Sequence, residues 1–253
     1  MGICVIISMH KCLGKKPPRH DYRTLYFGKY AKALPEPPKS CKWDGSVSNF
    51  PMLLNDQIGD CTIAGALHQT QTWSDNAGNI FVPTNNDALV AYEAVSGYNP
   101  QTHENDDGCD LLTVLKYWKN NGIGAHKISA FVEIEPANIN QIKQSIALLG
   151  GVYAGFALPK NCENQEEWHI TSQGTHGDGA IGSLGGHCVN IIDYDASGLT
   201  CVSWGNLLRL TWTFLKVYMD EAYAVLSPDW IEKNNLSPSG FDAQTLLSDL
   251  NDL

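Results

Sequence analysis

Basic residues are scarce in this chain: 17 Lys and Arg stand against 27 Asp and Glu, for a formal charge of -10. That balance argues against nucleic acid and against anionic membrane surfaces as main partners. Cysteine is dilute, eight in 253 residues, and no two are separated by a two-residue gap. A disulfide scaffold and a zinc knuckle are both excluded, which leaves reduced thiols and predicts a cytoplasmic protein, with secretion by a non-classical route still open. No apolar run reaches membrane-spanning length. The stretch Ile3–Met9 is apolar but short and lacks a basic leader, so no signal peptide is expected. Gly2 is not a myristoylation start, because position 6 is Ile rather than Ser or Thr. No internal repeat is visible. His169 and His176 lie in one loop, but no carboxylate or thiol completes a metal-ligand spacing, so neither metal nor cofactor is expected. The sequence says nothing of oligomeric state.

What is present is a core-forming composition: 43% apolar residues, seven Trp and ten Tyr. Residues 1–42 are Pro-rich and basic and read as an extended arm, with a short helix at Tyr22–Ala33. The arm could lie along a cleft or wrap the far side. Helical patterning follows at Cys61–Ser74, at Asn86–Val95 (closed by Gly97) and at Asp110–Lys119. Strands then dominate, at Ile128–Ile134, Gly151–Leu158, His187–Tyr194, Leu199–Trp204 and Ala222–Leu226. Helices are expected at Ile139–Leu149 and Thr213–Met219. This order predicts an α+β chain of two lobes, a helical one at about 43–124 and a sheet lobe at about 125–230. The tail, 231–253, ends in a helical pattern at Ala243–Leu250.

One stretch carries chemistry. Asn55-Asp56-Gln57-Ile58-Gly59-Asp60-Cys61 places a thiol where a turn-prone segment becomes an Ala/Gly-rich helix. A helix N-terminus favours a thiolate, and nearby amides are candidate donors to an oxyanion. Asp60 either raises the thiol pKa or caps the helix. A cysteine nucleophile needs a histidine brought close by the fold. Of eight histidines, His68 lies on the inward face of the same helix and reads as core. His187 follows Ser183-Leu184-Gly185-Gly186 and opens an apolar strand, a rigid mount for a catalytic imidazole.

At these residues the chain resembles the papain-like cysteine peptidases. Trp43-Asp44 stands before Cys61 as that family's Asp-Trp pair does, in reversed order. Asn55 falls where the family has its oxyanion-hole glutamine. Gly108-Cys109-Asp110-Leu111-Leu112 is similar to the Gly-Cys-Asn-Gly-Gly-Leu segment. Gly186-His187-Cys188-Val189 is similar to the motif around the histidine, and Ser203-Trp204-Gly205 to the end of Asn-Ser-Trp-Gly. The resemblance covers about residues 41–226 in the same order. It implies a papain-like two-lobe fold, Cys61 as nucleophile, His187 as base, Asn55 as oxyanion donor and Trp204 packed over the imidazole. Gly186 and Trp204 would border the substrate, a peptide or protein.

The departures are specific. The aromatic after the nucleophile is Thr62, and Leu111-Leu112 replace the twin glycines that hold substrate backbone, which weakens the expectation of strand addition. The orienting Asn aligns with Val202, leaving Ser203, Asn206 or no third group to steady His187. Gln57 is a substitute for Asn55. The loop Pro159–Gly185 reads as a lid lining the cleft. The expected activity is thiol-dependent hydrolysis of peptide or amide bonds through a Cys–His dyad and an acyl-enzyme. The alternatives are another acyl transfer on the same fold (deamidase, transglutaminase, amidase) or an inactive binding protein. Gly59-Asp60-Cys61-Thr62 also resembles bacterial cell-wall amidases, whose Cys-to-His separation is far shorter. A bacterial or phage-like source fits that string.

Overall fold

Helices come first and strands afterwards, as the change of pattern predicts. The computed structural model describes residues 11–29, 34–45, 47, 49–231 and 237–240. The expectations for Gly2, Ile3–Met9, residues 30–33 and the tail helix at Ala243–Leu250 fall outside them. Where the sequence suggested a helix from Tyr22, the described part holds only a single 3-10 turn, Phe27–Lys29.

The helical lobe is built from α1 (Cys61–Asn76), α2 (Asn85–Ser96) and α3 (Leu111–Asn120). Thr84 and Asp87 form a reciprocal capping box at the start of α2, and Gly97 ends it in the left-handed conformation. Asp110 caps α3, accepting from the Thr113 backbone N–H at 2.9 Å. The sheet lobe contributes β1 (Ala130–Ile134), α4 (Ile139–Leu149), β2 (Val152–Leu158), β3 (Glu167–Trp168), β4 (Gly185–Tyr194), β5 (Gly198–Ser203), β6 (Asn206–Thr211), α5 (Trp212–Tyr218) and β7 (Met219–Leu226). The strands form one sheet in the order β1-β7-β2-β4-β5-β6-β3, antiparallel except for the short β3–β6 pair. The sequence pattern did not reveal β3 or β6. The first has two residues. The second is largely uncovered along Asn206–Leu207, so it lacks the apolar alternation that marks a half-buried strand.

Helix α1 joins the lobes. Every residue from Cys61 to Ser74 is buried, so its small Ala/Gly/Thr side chains meet packing on all sides. It lies directly on β4. A Cβ at Gly65 would sit 3.2 Å from the Cys188 sulfur, so the glycine permits this approach. Tyr153 donates its hydroxyl to the Thr62 carbonyl at 2.7 Å, and Trp73 donates its indole N–H to the Leu149 carbonyl at 2.7 Å. On the helical side the core gathers Trp73, Tyr92, Leu115 and Trp118 around Tyr153 and Cys188. On the other face of the sheet Phe156, Trp168, Ile191 and Phe214 pack together. No helix among the described residues is long and apolar enough to cross a membrane.

Candidate active site

Cys61 is the first residue of α1 and is buried. Burial pushes its thiol up to about 12, and neighbouring Asp60 adds to the rise. Hydrogen bonding to the backbone at Cys188 and Gly14 acts in the opposite direction. The thiol therefore rests protonated against the strand that carries His187. Asp60 occupies the cap position without a side-chain capping bond, its carboxyl buried beside the Asn55 side chain. Burial raises its pKa well above the ordinary value. Of the two roles the sequence allowed it, capping is not made, and its charge, when ionised, adds to the rise of the thiol pKa.

His187 sits near the start of β4. Its Nε2 is 2.9 Å from the Ser203 Oγ, and its Nδ1 is buried without a partner. Trp204 stacks on the imidazole at 4.1 Å between ring centroids and 12° between planes. That stack needs an unusual backbone. Ser203 pairs with Asn206 across a two-residue hairpin turn whose central residues, Trp204 (φ 45°) and Gly205 (φ 70°), are both left-handed. Burial pushes the His187 pKa down to about 3, and the positive charge of Lys11 pushes the same way. The imidazole is thus neutral. Ser203 supplies the contact that Val202 cannot. Asn206 does not reach the ring; its amide donates to the Trp204 carbonyl at 2.9 Å.

The space between the lobes is filled by the chain's own residues 11–16. The Cys12 N–H donates to the Asn55 carbonyl at 3.0 Å. The Cys12 carbonyl accepts from the Trp204 indole at 3.1 Å and from the Asn55 side-chain amide at 3.4 Å. Lys15 donates its N–H to the Gly186 carbonyl at 3.1 Å, and Lys16 donates to the Cys109 carbonyl at 2.9 Å. The Cys109 N–H returns a bond to the Gly14 carbonyl at 2.8 Å, which makes a parallel bridge. The arm thus meets this segment through one parallel bridge at Cys109, two residues before Leu111. The contact is close enough to demand glycines. A Cβ on Gly14 would fall 1.7 Å from the Gly59 oxygen, and one on Gly186 would fall 2.1 Å from the Lys15 oxygen. Beyond the cleft the arm does wrap the sheet lobe: the Glu133 N–H donates to the Leu25 carbonyl at 2.8 Å, and Cys41 bridges Tyr194.

Asn55, buried, reaches this cleft, whereas Gln57 turns outward and its amide meets only Asp56 at 3.4 Å. His68 bonds the Pro51 carbonyl at 2.8 Å within the core. The loop Pro159–Gly185 touches the arm, the Glu163 carbonyl accepting from the Lys11 ammonium at 2.9 Å. Sequence reading missed Glu221 in β7. It is buried beside Asp220, and the Lys15 ammonium lies 2.9 Å from Asp220 and 3.2 Å from Glu221. The signal available was an acidic pair, Asp220-Glu221, near the start of an otherwise apolar strand, Met219–Leu226.

Solved structures share this architecture. Xylellain, a cysteine protease from Xylella fastidiosa, superposes with a TM-score of 0.64 at 14% identity, over 86% of this chain and 96% of its own. The chain has the papain-like fold. A cysteine protease of Carica candamarcensis gives 0.55 at 16% identity over 75% of this chain and 99% of its own. Digestive procathepsin L 3 of Tenebrio molitor larval midgut gives 0.55 at 11% over 87% and 76%. No protein-family model and no curated protein sequence matches the chain. At such identities the likeness is one of fold. In this papain-like arrangement the helical lobe carries Cys61 and the sheet lobe carries His187.

Proposed function

We propose that the protein is a thiol-dependent hydrolase of peptide or amide bonds, with Cys61 as nucleophile and His187 as base. The carrying observation is that the cleft between Cys61, Asn55 and His187 holds an extended polypeptide backbone, residues 11–16. A groove that pairs with main chain from both lobes is suited to peptide substrates.

In the proposed reaction His187 Nδ1, the ring nitrogen left free by Ser203, takes the thiol proton, and the sulfur attacks the carbonyl carbon. Negative charge moves to the carbonyl oxygen. The Asn55 amide and the Cys61 backbone N–H, which has no partner within the helix at its first turn, are the donors for it. Each such donor is worth about 3 kcal/mol. His187 then protonates the leaving amine, and water releases the acyl group. Both groups are buried and the arm fills the cleft beside them, so in this reading catalysis requires it to leave. Readmitted water would lower the thiol pKa and raise that of the imidazole, bringing the pair within proton-transfer range.

The test uses the full chain with Gly14→Val, whose added side chain is incompatible with the seated arm. Release of peptides from a denatured protein substrate that vanishes on adding Cys61→Ala or His187→Ala supports the assignment. Release that survives either change, or no release by the Gly14→Val chain, overturns it. Binding without turnover would then favour a peptide-binding protein, for which the absence of an orienting amide at Val202 is the structural argument.

A further inference from the structure

Tyr92 and Asp106 join two glycines that stand on either side of the seated arm. The Gly59 N–H donates to Asp106 Oδ1 at 2.8 Å, and the Tyr92 hydroxyl donates to the same oxygen at 2.6 Å. The Tyr92 oxygen in turn accepts from the Gly108 N–H at 3.0 Å. One carboxylate oxygen thus ties, through one phenol, the turn that leads into Cys61 to the loop that leads into Cys109. Bonds donated to an ionised carboxylate are of the stronger kind, and a hydroxyl that donates and accepts at once strengthens both of its bonds.

The linkage is anchored at both ends. Tyr92 is fully buried on α2. Asp106 lies on an exposed loop, but that loop is braced against the end of α2. The Asn105 amide donates to the Gly97 carbonyl at 3.0 Å, and the Tyr98 hydroxyl lies 2.8 Å from His103 Nδ1. Gly59 and Gly108 are buried, so without Asp106 and Tyr92 their N–H groups would lose their acceptors away from bulk water.

On the cleft side the same two glycines grip one stretch of backbone. A Cβ on Gly14 would meet the Gly59 oxygen, and one on Gly108 would fall 1.8 Å from the Gly14 oxygen. Asn55 and Cys61 flank Gly59 in one short turn. A tilt of the Gly59 peptide therefore moves both proposed oxyanion donors relative to a bound carbonyl.

We propose that Asp106 is a positioning residue for the thiol site. Directly and through Tyr92, it fixes the turn 55–61 against the loop 105–109 and so holds the oxyanion donors in place. The proposal rests on the hydrolase reading, because it assigns Asp106 an effect on turnover.

The test has two readouts. Amide proton exchange at Gly59 and Gly108, followed by NMR in the full chain, needs no catalysis. Asp106→Ala should speed exchange at both glycines by about tenfold or more while Leu115 in α3 keeps its rate. Tyr92→Phe should speed Gly108 far more than Gly59. Turnover is read on the full chain with Gly14→Val, against a fluorescently labelled denatured protein. Adding Asp106→Ala should lower kcat by about tenfold and leave KM within about twofold, since the donors act on charge that develops in the transition state. Asp106→Asn keeps an acceptor oxygen and should recover most of both losses. Should Asp106→Ala fail to fold, Tyr92→Phe is read for kcat in its place, with a loss of about threefold expected. Unchanged exchange at Gly59, unchanged kcat despite faster exchange, or a loss that Asp106→Asn does not recover overturns the positioning role. Absence of cleavage by the Gly14→Val chain itself is a separate failure, that of the hydrolase reading, and takes this role with it.

Discussion

Ser203 Oγ lies 2.9 Å from His187 Nε2, at the end of β5 beside the strand that carries the imidazole. A hydroxyl can accept from a protonated ring nitrogen or donate to a bare one, so it orients the ring without dictating which nitrogen holds the proton. A carboxamide oxygen in that place would only accept, and would leave Nδ1 as the base. Ser203→Ala is accordingly expected to lower kcat about fivefold, the worth of one neutral hydrogen bond of about 1 kcal/mol. Folding should change little by thermal melt. Ser203→Asn should restore or exceed the parent rate. Equal rates in all three would remove Ser203 from the mechanism.

The Gly14 backbone lies against the Cys61 thiol. Its Cβ would overlap the Gly59 carbonyl, so Gly14→Val should raise the rate of Cys61 alkylation by iodoacetamide by about tenfold or more, read by peptide mass mapping. The buried Cys201 on β5 serves as an internal control whose rate should not move. Parallel acceleration at both cysteines would indicate general unfolding instead.

The seat of the arm should depend on pH. Glu221 titrates at about 7, and the Lys15 charge holds that value lower than it would be in an empty pocket. Seating Lys15 therefore favours the carboxylate: the arm is held best above about pH 7 and loosens as Glu221 takes up a proton below it. Asp220, Tyr223 and Asp110 are the other groups around Glu221, and the Asp220 and Asp110 charges also raise its pKa. For global unfolding the sign is opposite. Relative to an exposed Glu at 4.5 the folded value is raised, so this group's contribution falls as pH rises from about 4.5 to about 7. The ratio of Cys61 alkylation rates, parent over Lys15→Met, cancels the common thiolate fraction and should climb as pH is lowered through 7. A flat ratio would separate Glu221 from the arm.

A second pH effect lies far from the cleft. His126 Nδ1 is 2.7 Å from Asp229, and that bond raises the histidine pKa above 6.5. Its stabilisation is fully present below the unfolded value and disappears as pH rises through the folded one. Asp229→Asn should lower the melting temperature more at pH 5.5 than at pH 8.5. The reverse order would contradict the pairing.

Gly150, in the left-handed conformation at the end of α4, faces two tryptophans: a Cβ there would sit 2.8 Å from atoms of both Trp230 and Trp73. Gly150→Ala should destabilise the chain by about 2 kcal/mol or more, from backbone strain and overpacking together. Denaturant melts check this, and a loss under about 0.5 kcal/mol would mean that the rings yield freely.

Periodic patterns made much of this fold legible. Helix α4 has the bounds the sequence suggests, and α1 to α3 differ by a residue or two, because capping residues and glycines punctuate them. Cys61, His187, Asn55 and Ser203 could be named as candidates because short motifs keep their order along the chain. Lys15, Gly14 and Glu221 could not. Their meaning arises only when a segment without periodicity lies across two lobes and meets a carboxyl 205 residues or more away in sequence, and no local pattern encodes such a meeting.

The hairpin at Trp204 has a price of its own. A tryptophan at φ 45° occupies a conformation that only glycine adopts freely, at a penalty of roughly 1–2 kcal/mol. Trp204→Gly would relieve that penalty but remove a buried ring that packs on Trp168 and His187, a loss of about 3–5 kcal/mol. Packing therefore outweighs backbone comfort at this turn. Heat resistance and the cover over His187 depend on one side chain, and a variant that uncovers the imidazole weakens the fold with it.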